Sequence, residues 1–304
     1  MISFARQTRR LLTISLVLAL GSAASAQNPD FSKVTVKVVP VAPGIYMLQG
    51  MGGNIGLSVG KDDAFVIDDQ YAPLTAKIKA AIATVTPKPV RFVVNTHWHM
   101  DHTGGNEGMA SSGAIIVAHE NVRRRMSREH FSAFFKSTLP ASPVGALPVI
   151  TFSDTISFYV NDDTVRTSHV RDAHTDGDVI IVFHKANVVH MGDTFFNGMY
   201  PFIDVETGGS LAGTIAAVNR TLATTNPATR LIPGHGPLAS RADLERYHDM
   251  LVTVQGRIGA LVKQERTLKQ IVDAKPLADL EAQWGQGFMK TDNFLAIVHA
   301  SLTK

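Results

Sequence analysis

An α/β fold is predicted for this 304-residue chain by three features. Short β-rich runs alternate with stretches of helical periodicity, which is the pattern of mixed strand and helix layers. Glycine and proline separate those runs at regular intervals. At 45% hydrophobic and 18% charged residues, the composition suits a packed core and excludes a disordered or fibrous chain.

The first strand signals are KVTVKVV, GIYMLQG, NIGLSVG and DAFVIDD, spanning residues 33–69. PLTAKIKAAIATV (73–85) has helical spacing, and VRFVVNTHW (90–98) reads as a buried strand running into a loop. AIIVAHE (114–120) is another strand. The charged NVRRRMSREHFSAFF (121–135) then predicts a solvated helix, with Arg123–Arg125 as an exposed face. STLPASPVGALPV (137–149) is a proline-rich connection. Residues 150–170 predict paired strands about the turn signal Asn161-Asp162-Asp163. DVIIVFHKANVVHMGD (178–193) supplies two more strands, and residues 210–225 a helix with Ser210 placed to cap it. TRLIPGHG (229–236) is a last strand and loop, followed by a largely helical tail from Ala242. No repeat, low-complexity tract or long linker divides residues 27–304, so one domain is expected there.

Residues 1–26 are read as a signal peptide. Arg6, Arg9 and Arg10 precede the apolar run LLTISLVLALG, and Ala24-Ser25-Ala26 forms a small-residue cleavage site before Gln27. The apolar run is too short to span a bilayer. A periplasmic or secreted protein without lasting membrane insertion is therefore expected, with Sec and twin-arginine export both open. That leader holds three arginines and no acid, so removing it turns the formal charge of +3 into zero. A nucleic-acid partner is not indicated, and a small-molecule substrate is expected. There is no cysteine, so any metal site must be built from nitrogen and oxygen donors.

The stretch NTHWHMDHTGGN (95–106) places His97, His99, Asp101 and His102 within six positions, directly after a buried strand. Such a cluster is catalytic, metal-binding or accidental, according to what partners it finds. Candidates are His174 in DAHTDGD, Asp193 in HMGDTFF and His235 in IPGHGP, each at a strand end or in the loop just after one. His97 and His99 alternate by two and can project the same way from an extended segment; Asp101 continues that alternation. A turn at His102 would serve a second metal. His97, His99 and His174 would form a three-imidazole site suited to Zn²⁺, and Asp101, His102 and His235 a second, with Asp193 between them. The other histidines, His190 among them, are assigned to packing or surface, and Asp176 and Asp178 to a turn and a strand start, with a role in supporting the ligands from behind left open.

HWHMDH followed in order by His174, Asp193 and His235 resembles the metallo-β-lactamase-fold hydrolase superfamily. The motif spans residues 97–235, and all seven positions of the two-metal pattern are filled. The resemblance implies a four-layer αβ/βα sandwich and two zinc ions, with iron or manganese as alternative metals. It also implies a hydroxide held between the ions as nucleophile, with Asp101 as the catalytic residue that orients it. Asp68 in FVIDD matches the family's early strand-end acid, which supports a ligand from behind. The implied reaction is cleavage of an acyl bond: a β-lactam-like amide, a lactone or a thioester.

Departures from the pattern set the alternatives. Many β-lactamases of this fold carry cysteine at the position of Asp193, and no lysine lies between Asp193 and Ser210 to take a β-lactam carboxylate. Arg220 falls in the following helix. A glyoxalase II-like thioesterase, a persulfide dioxygenase with one iron on His97, His174 and Asp193, and a non-catalytic periplasmic metal-binding protein stay open. No substrate-binding residue is fixed. FFNGMYPFID (195–204) is expected to border the pocket, with Tyr200 as a candidate contact, against the plainer expectation that its aromatics pack the core.

Overall fold

The computed structural model describes residues 30–304. The predicted signal peptide, residues 1–26, lies outside the described residues. The first sheet contains β1 (Lys37–Ala42), β2 (Ile45–Gln49), β3 (Ile55–Ser58), β4 (Ala64–Ile67), β5 (Val90–Val94) and β6 (Ile115–His119). A small hairpin, β7 (His130–Ser132) and β8 (Ser137–Leu139), stands apart from it. β9 (Ile150–Phe152) completes the first sheet in the order β1-β2-β3-β4-β5-β6-β9. The second sheet runs from β10 (Thr155–Val160) through β11 (Asp163–His169), β12 (Val179–Phe183), β13 (Val188–Phe196) and β14 (Arg230–His235) to β15 (Ala239–Ser240).

Side-chain alternation explains the layering. In β4 all four residues are buried, but to opposite sides. Phe65 and Ile67 enter a core shared with Phe158, Val165, Ile181 and Phe183 of the second sheet. Ala64 and Val66 face outward onto Ile78 and Ile82 of helix α1 (Thr75–Ala83). Short helices α2 (Met100–Thr103), α3 (Asn106–Ala110) and α4 (Glu120–Met126) follow. The outer face of the second sheet is covered by α5 (Leu211–Thr224), α6 (Arg241–Lys263) and α9 (Thr291–Thr303), with α7 (Leu268–Asp273) and α8 (Glu281–Trp284) between the last two. Helix, sheet, sheet and helix make the expected four layers.

Local signals act as read. Asn161 and Asp162 both have positive φ (53° and 62°), the geometry that joins β10 to β11 by a tight primed turn. The Ser210 hydroxyl accepts the Gly213 N–H to cap α5. Two expectations need correction. The helix predicted over 121–135 ends at Met126, and His130–Leu139 forms the β7–β8 hairpin. Tertiary contacts override propensity here: the His130 ring meets Trp98 edge-on at 5.3 Å, and Phe134 packs on Phe202 at 4.9 Å. Nor is Arg125 simply part of a solvated face. Its guanidinium grips both oxygens of Asp176 (3.3 and 2.8 Å) and the Thr207 carbonyl. Among the described residues no helix is long and apolar enough to cross a membrane.

The inter-sheet core is the part of the fold most sensitive to truncation. Phe65 is fully buried and meets Phe158 at 5.0 Å, Phe92 at 6.2 Å and Phe183 at 6.4 Å. Phe65→Ala is expected to destabilise the protein by about 3–5 kcal/mol, measured by denaturant unfolding. A loss below about 1 kcal/mol would contradict this packing.

Candidate metal centre

The 95–106 loop is pinned at both ends by one reciprocal contact. Asn95 and Asn106 exchange side-chain amide hydrogen bonds (3.1 and 2.9 Å), both fully buried. Between them, His97 and His99 do project to one side, as their spacing predicts. Asp101 reaches the site differently, because it lies on the single helical turn α2 together with His102.

His174 arrives from the β11–β12 loop, where its N–H and that of Thr175 both donate to Asp178 Oδ2. Asp193 lies inside β13, at an irregularity in its pairing with β14 that lets the strand re-aim the carboxylate. His235 ends β14 and stacks on Phe196 at 5.1 Å. Two glycines permit the convergence by close approach. A Cβ on Gly234 would sit 2.0 Å from Asp193 Oδ1, and one on Gly53 2.0 Å from His102 Cε1.

The seven residues meet as two groups. His97, His99, His174 and Asp193 have donor atoms within 4.8 Å of one another, and so do Asp101, His102 and His235. Asp193 lies between them: Oδ2 is 3.5 Å from His174 Nε2 and 3.4 Å from His235 Nε2, and Oδ1 is 3.1 Å from His102 Nε2.

Hydrogen bonds behind the site decide where each imidazole keeps its proton. Thr96 donates its hydroxyl proton to Asp68 Oδ2 at 2.7 Å, so it can only accept from His97 Nδ1–H at 3.0 Å. His174 Nδ1–H donates to the Phe202 carbonyl at 2.8 Å, and His99 Nε2–H to Asp204 Oδ2 at 3.0 Å. The ring nitrogens left over are lone pairs, yet His97 Nε2 and His174 Nε2 lie 3.1 and 2.9 Å from His99 Nδ1. Three lone pairs at such distances repel unless a cation stands among them. In the second group His102 Nδ1–H donates to Asp68 Oδ2 at 2.7 Å, turning Nε2 toward Asp101, Asp193 and His235. Asp193 Oδ1 is buried and has no aligned donor. The donor set fits a pair of cations.

The electrostatics agree. Burial, then the neighbouring imidazole of His102, pushes His97 well below the usual histidine range, and burial lowers His174 to about 4. Both are neutral ligands in waiting. Burial also disfavours charge on His102 and His235, but adjacent carboxylates outweigh it, raising His102 well above its ordinary value and His235 to about 9. Asp101 is held down to about 2, its burial overcome by His102 and His235. The second group therefore favours positive charge.

Sequence reasoning reached all seven residues and Asp68, which is fully buried. It missed Asp204, Thr96 and Asp69. Asp204 is the last residue of the stretch read as a pocket wall; its contact with His99 joins residues 105 apart, and nothing local announces it. Asp69 is raised well above the usual carboxylate range by burial and then by Asp68 beside it, while the Gly105 N–H donates to its Oδ1. Tyr200 is fully buried and stacks on Phe294 at 4.5 Å, so packing is its main role, although it reaches the cavity wall. His190 belongs to the scaffold, with Nε2 3.1 Å from the Asn54 carbonyl. Arg220 donates to the His169 carbonyl and does not line the cavity beside the centre.

Fold and donor set together define the class: a metal-dependent hydrolase built on an αβ/βα sandwich. The family model described as the metallo-beta-lactamase superfamily matches residues 49–235, and the chain belongs to that superfamily. Among solved structures it is similar to a metallo-beta-lactamase from Pontibacter korlensis (18% identity, TM-score 0.59, covering 71% of this chain and 99% of that one). It is also similar to the sec-alkylsulfatase Pisa1 from Pseudomonas sp. (17% identity, TM-score 0.63, 87% of this chain and 50% of that one). A curated relative, the 2,4-dinitroanisole O-demethylase subunit alpha of Nocardioides sp. (strain JS1661), is 24% identical over 166 residues. That match covers 53% of this chain and 45% of the relative, so the chain spans about half that protein's length.

Asp68 supports one ligand of each group, which makes it the sharpest test of the arrangement. Asp68→Asn is expected to weaken metal binding by about 10–100-fold in a chelator competition assay. Unchanged affinity in a folded variant would remove Asp68 from this role.

Proposed function

We propose that the chain is an exported two-zinc hydrolase that cleaves an acyl bond: a β-lactam-like amide, a lactone or a thioester. One observation carries the reading. Two separate donor groups, His97–His99–His174 and Asp101–His102–His235, face each other across the single carboxylate of Asp193. A centre for one iron on His97, His174 and Asp193 would leave the second group without purpose. The all-nitrogen-and-oxygen donor set suits zinc, and the basic, apolar and small-residue order of residues 1–26 supports export.

When bound, zinc would acidify a water toward a pKa of about 7 and polarise the substrate carbonyl. The chain's own residues do the rest. His97, His99 and His174 would hold one ion, His102, His235 and Asp101 the other, with Asp193 shared. Asp101 is the carboxylate most open to the cavity, with its side chain 21% exposed against 5% for Asp193. It is placed to accept a hydrogen bond from the attacking water and aim it at the carbonyl. Phe196 and Phe202 wall the cavity beside these groups.

Metal analysis of the purified protein, followed by a panel of a chromogenic lactam, a lactone and a thioester, tests this reading. Two zinc ions per chain and turnover of at least one substrate are expected. Two retained zinc ions with no hydrolysis across the panel would point to the non-catalytic reading. Asp101→Asn should lower kcat by at least about a hundredfold, roughly 2.7 kcal/mol of transition-state stabilisation. Metal content is measured in the same preparation, because loss of an ion would mimic the effect. A variant keeping both metals and near-normal kcat would refute the orienting role.

A further inference from the structure

The cavity beside the centre has a volume of ≈ 680 Å³. Among the described residues that line it there is no lysine or arginine. Its ionisable side chains are Tyr71, Tyr200 and four members of the centre itself: His99, Asp101, Asp193 and His235. Lys136 follows Phe135 in the hairpin turn but does not line the cavity.

Away from the centre the wall is aromatic. Phe202 stands 5.7 Å from the His99 ring, Phe135 5.7 Å from Phe202, and Phe288 6.4 Å from Phe135 with the planes only 25° apart. These rings lead outward from a candidate ligand to the mouth. There Phe135 is 51% and Phe288 63% exposed, an unusual position for two large apolar side chains on facing segments. Phe135 comes from the β7–β8 hairpin and Phe288 from the segment between α8 and α9. The hairpin is seated independently of Phe135: Phe134 packs on Phe202 at 4.9 Å, and the Ala133 N–H donates to Glu206 at 3.1 Å.

We propose that Phe135 and Phe288 set specificity by gripping an uncharged apolar group, an aryl ring or a medium alkyl chain, attached to the carbonyl cleaved at the centre. This rests on the hydrolase reading above and narrows it. An apolar group between the rings leaves water and covers their exposed faces, which is favourable in proportion to the area removed. An anionic end group at the same place would lose its hydration against the rings and find no counter-charge. The cavity therefore selects neutral esters, lactones or thioesters over substrates with a remote carboxylate.

The test uses the zinc-reconstituted protein and the phenyl esters of hexanoic and adipic acid. These share a leaving group and a chain length and differ in the terminal carboxylate. The hexanoate is expected to show a kcat/KM at least about tenfold higher. Phe135→Ala and Phe288→Ala should each lower kcat/KM for the hexanoate by at least about fivefold, mainly through KM, and leave phenyl acetate within about twofold. Equal rates for the two long esters, or losses shared equally by the acetate, overturn the proposal while leaving the hydrolase reading intact. If no ester is cleaved, calorimetric binding of 2-octanone and 7-oxooctanoate decides. Tighter binding of the neutral ketone, weakened in both variants, supports the grip, and equal affinity overturns it.

Discussion

The Asp68 carboxylate accepts three hydrogen bonds at 2.7 Å, from the Thr96 N–H, the Thr96 hydroxyl and His102 Nδ1–H. Its own backbone is left-handed (φ 60°) in a fully buried position, a conformation that costs a non-glycine residue about 1–3 kcal/mol. Hydrogen bonds to a charged group contribute about 1.5–3 kcal/mol each, so the three together outweigh that strain. Much of the centre depends on this one anion. Through His102 it orients a member of the second group directly. Through the single proton of Thr96 it dictates which nitrogen of His97 faces the first group.

The sandwich exists to bring that anion and its dependants to one edge. Asp68 follows β4, and the 95–106 loop follows β5, its parallel neighbour. Asp193 and His235 come from β13 and β14, the parallel pair of the other sheet. Each sheet thus presents the carboxyl ends of parallel strands to the same place, where loops are free to carry polar groups. Below them the Phe65, Phe158 and Phe183 cluster fixes the sheets against each other. The short distances of His97 and His174 from His99 are consequences of that packing.

What was legible in the sequence follows from how local the information is. His97, His99, Asp101 and His102 lie within six residues, so their spacing alone constrains their geometry; His174 and His235 stand in a loop and at a strand end as read, whereas Asp193, expected at a strand end, lies inside β13. Even there, Asp101 reaches the site from a helical turn, which alternation along a strand does not foresee. Asp204 and the Phe202 carbonyl were illegible because their partners are His99 and His174, far away along the chain. The β7–β8 hairpin was misread for a related reason. Its charged, arginine-rich approach favours helix locally, and only the contacts of His130 with Trp98 and Phe134 with Phe202 reverse that preference.

On this reading, fixed proton positions on the buried imidazoles make a site for two cations. Nitrogen NMR of the histidine rings in the zinc-loaded protein tests it most directly, because the two ring nitrogens are distinguished by their shifts and their attached protons. His97, His102 and His174 should each carry a slowly exchanging proton on Nδ1, and His99 alone among these four should carry it on Nε2. A proton on Nε2 of His97 or His102 would contradict the account, since that nitrogen could then bind no metal and Asp68 would not be directing either ring.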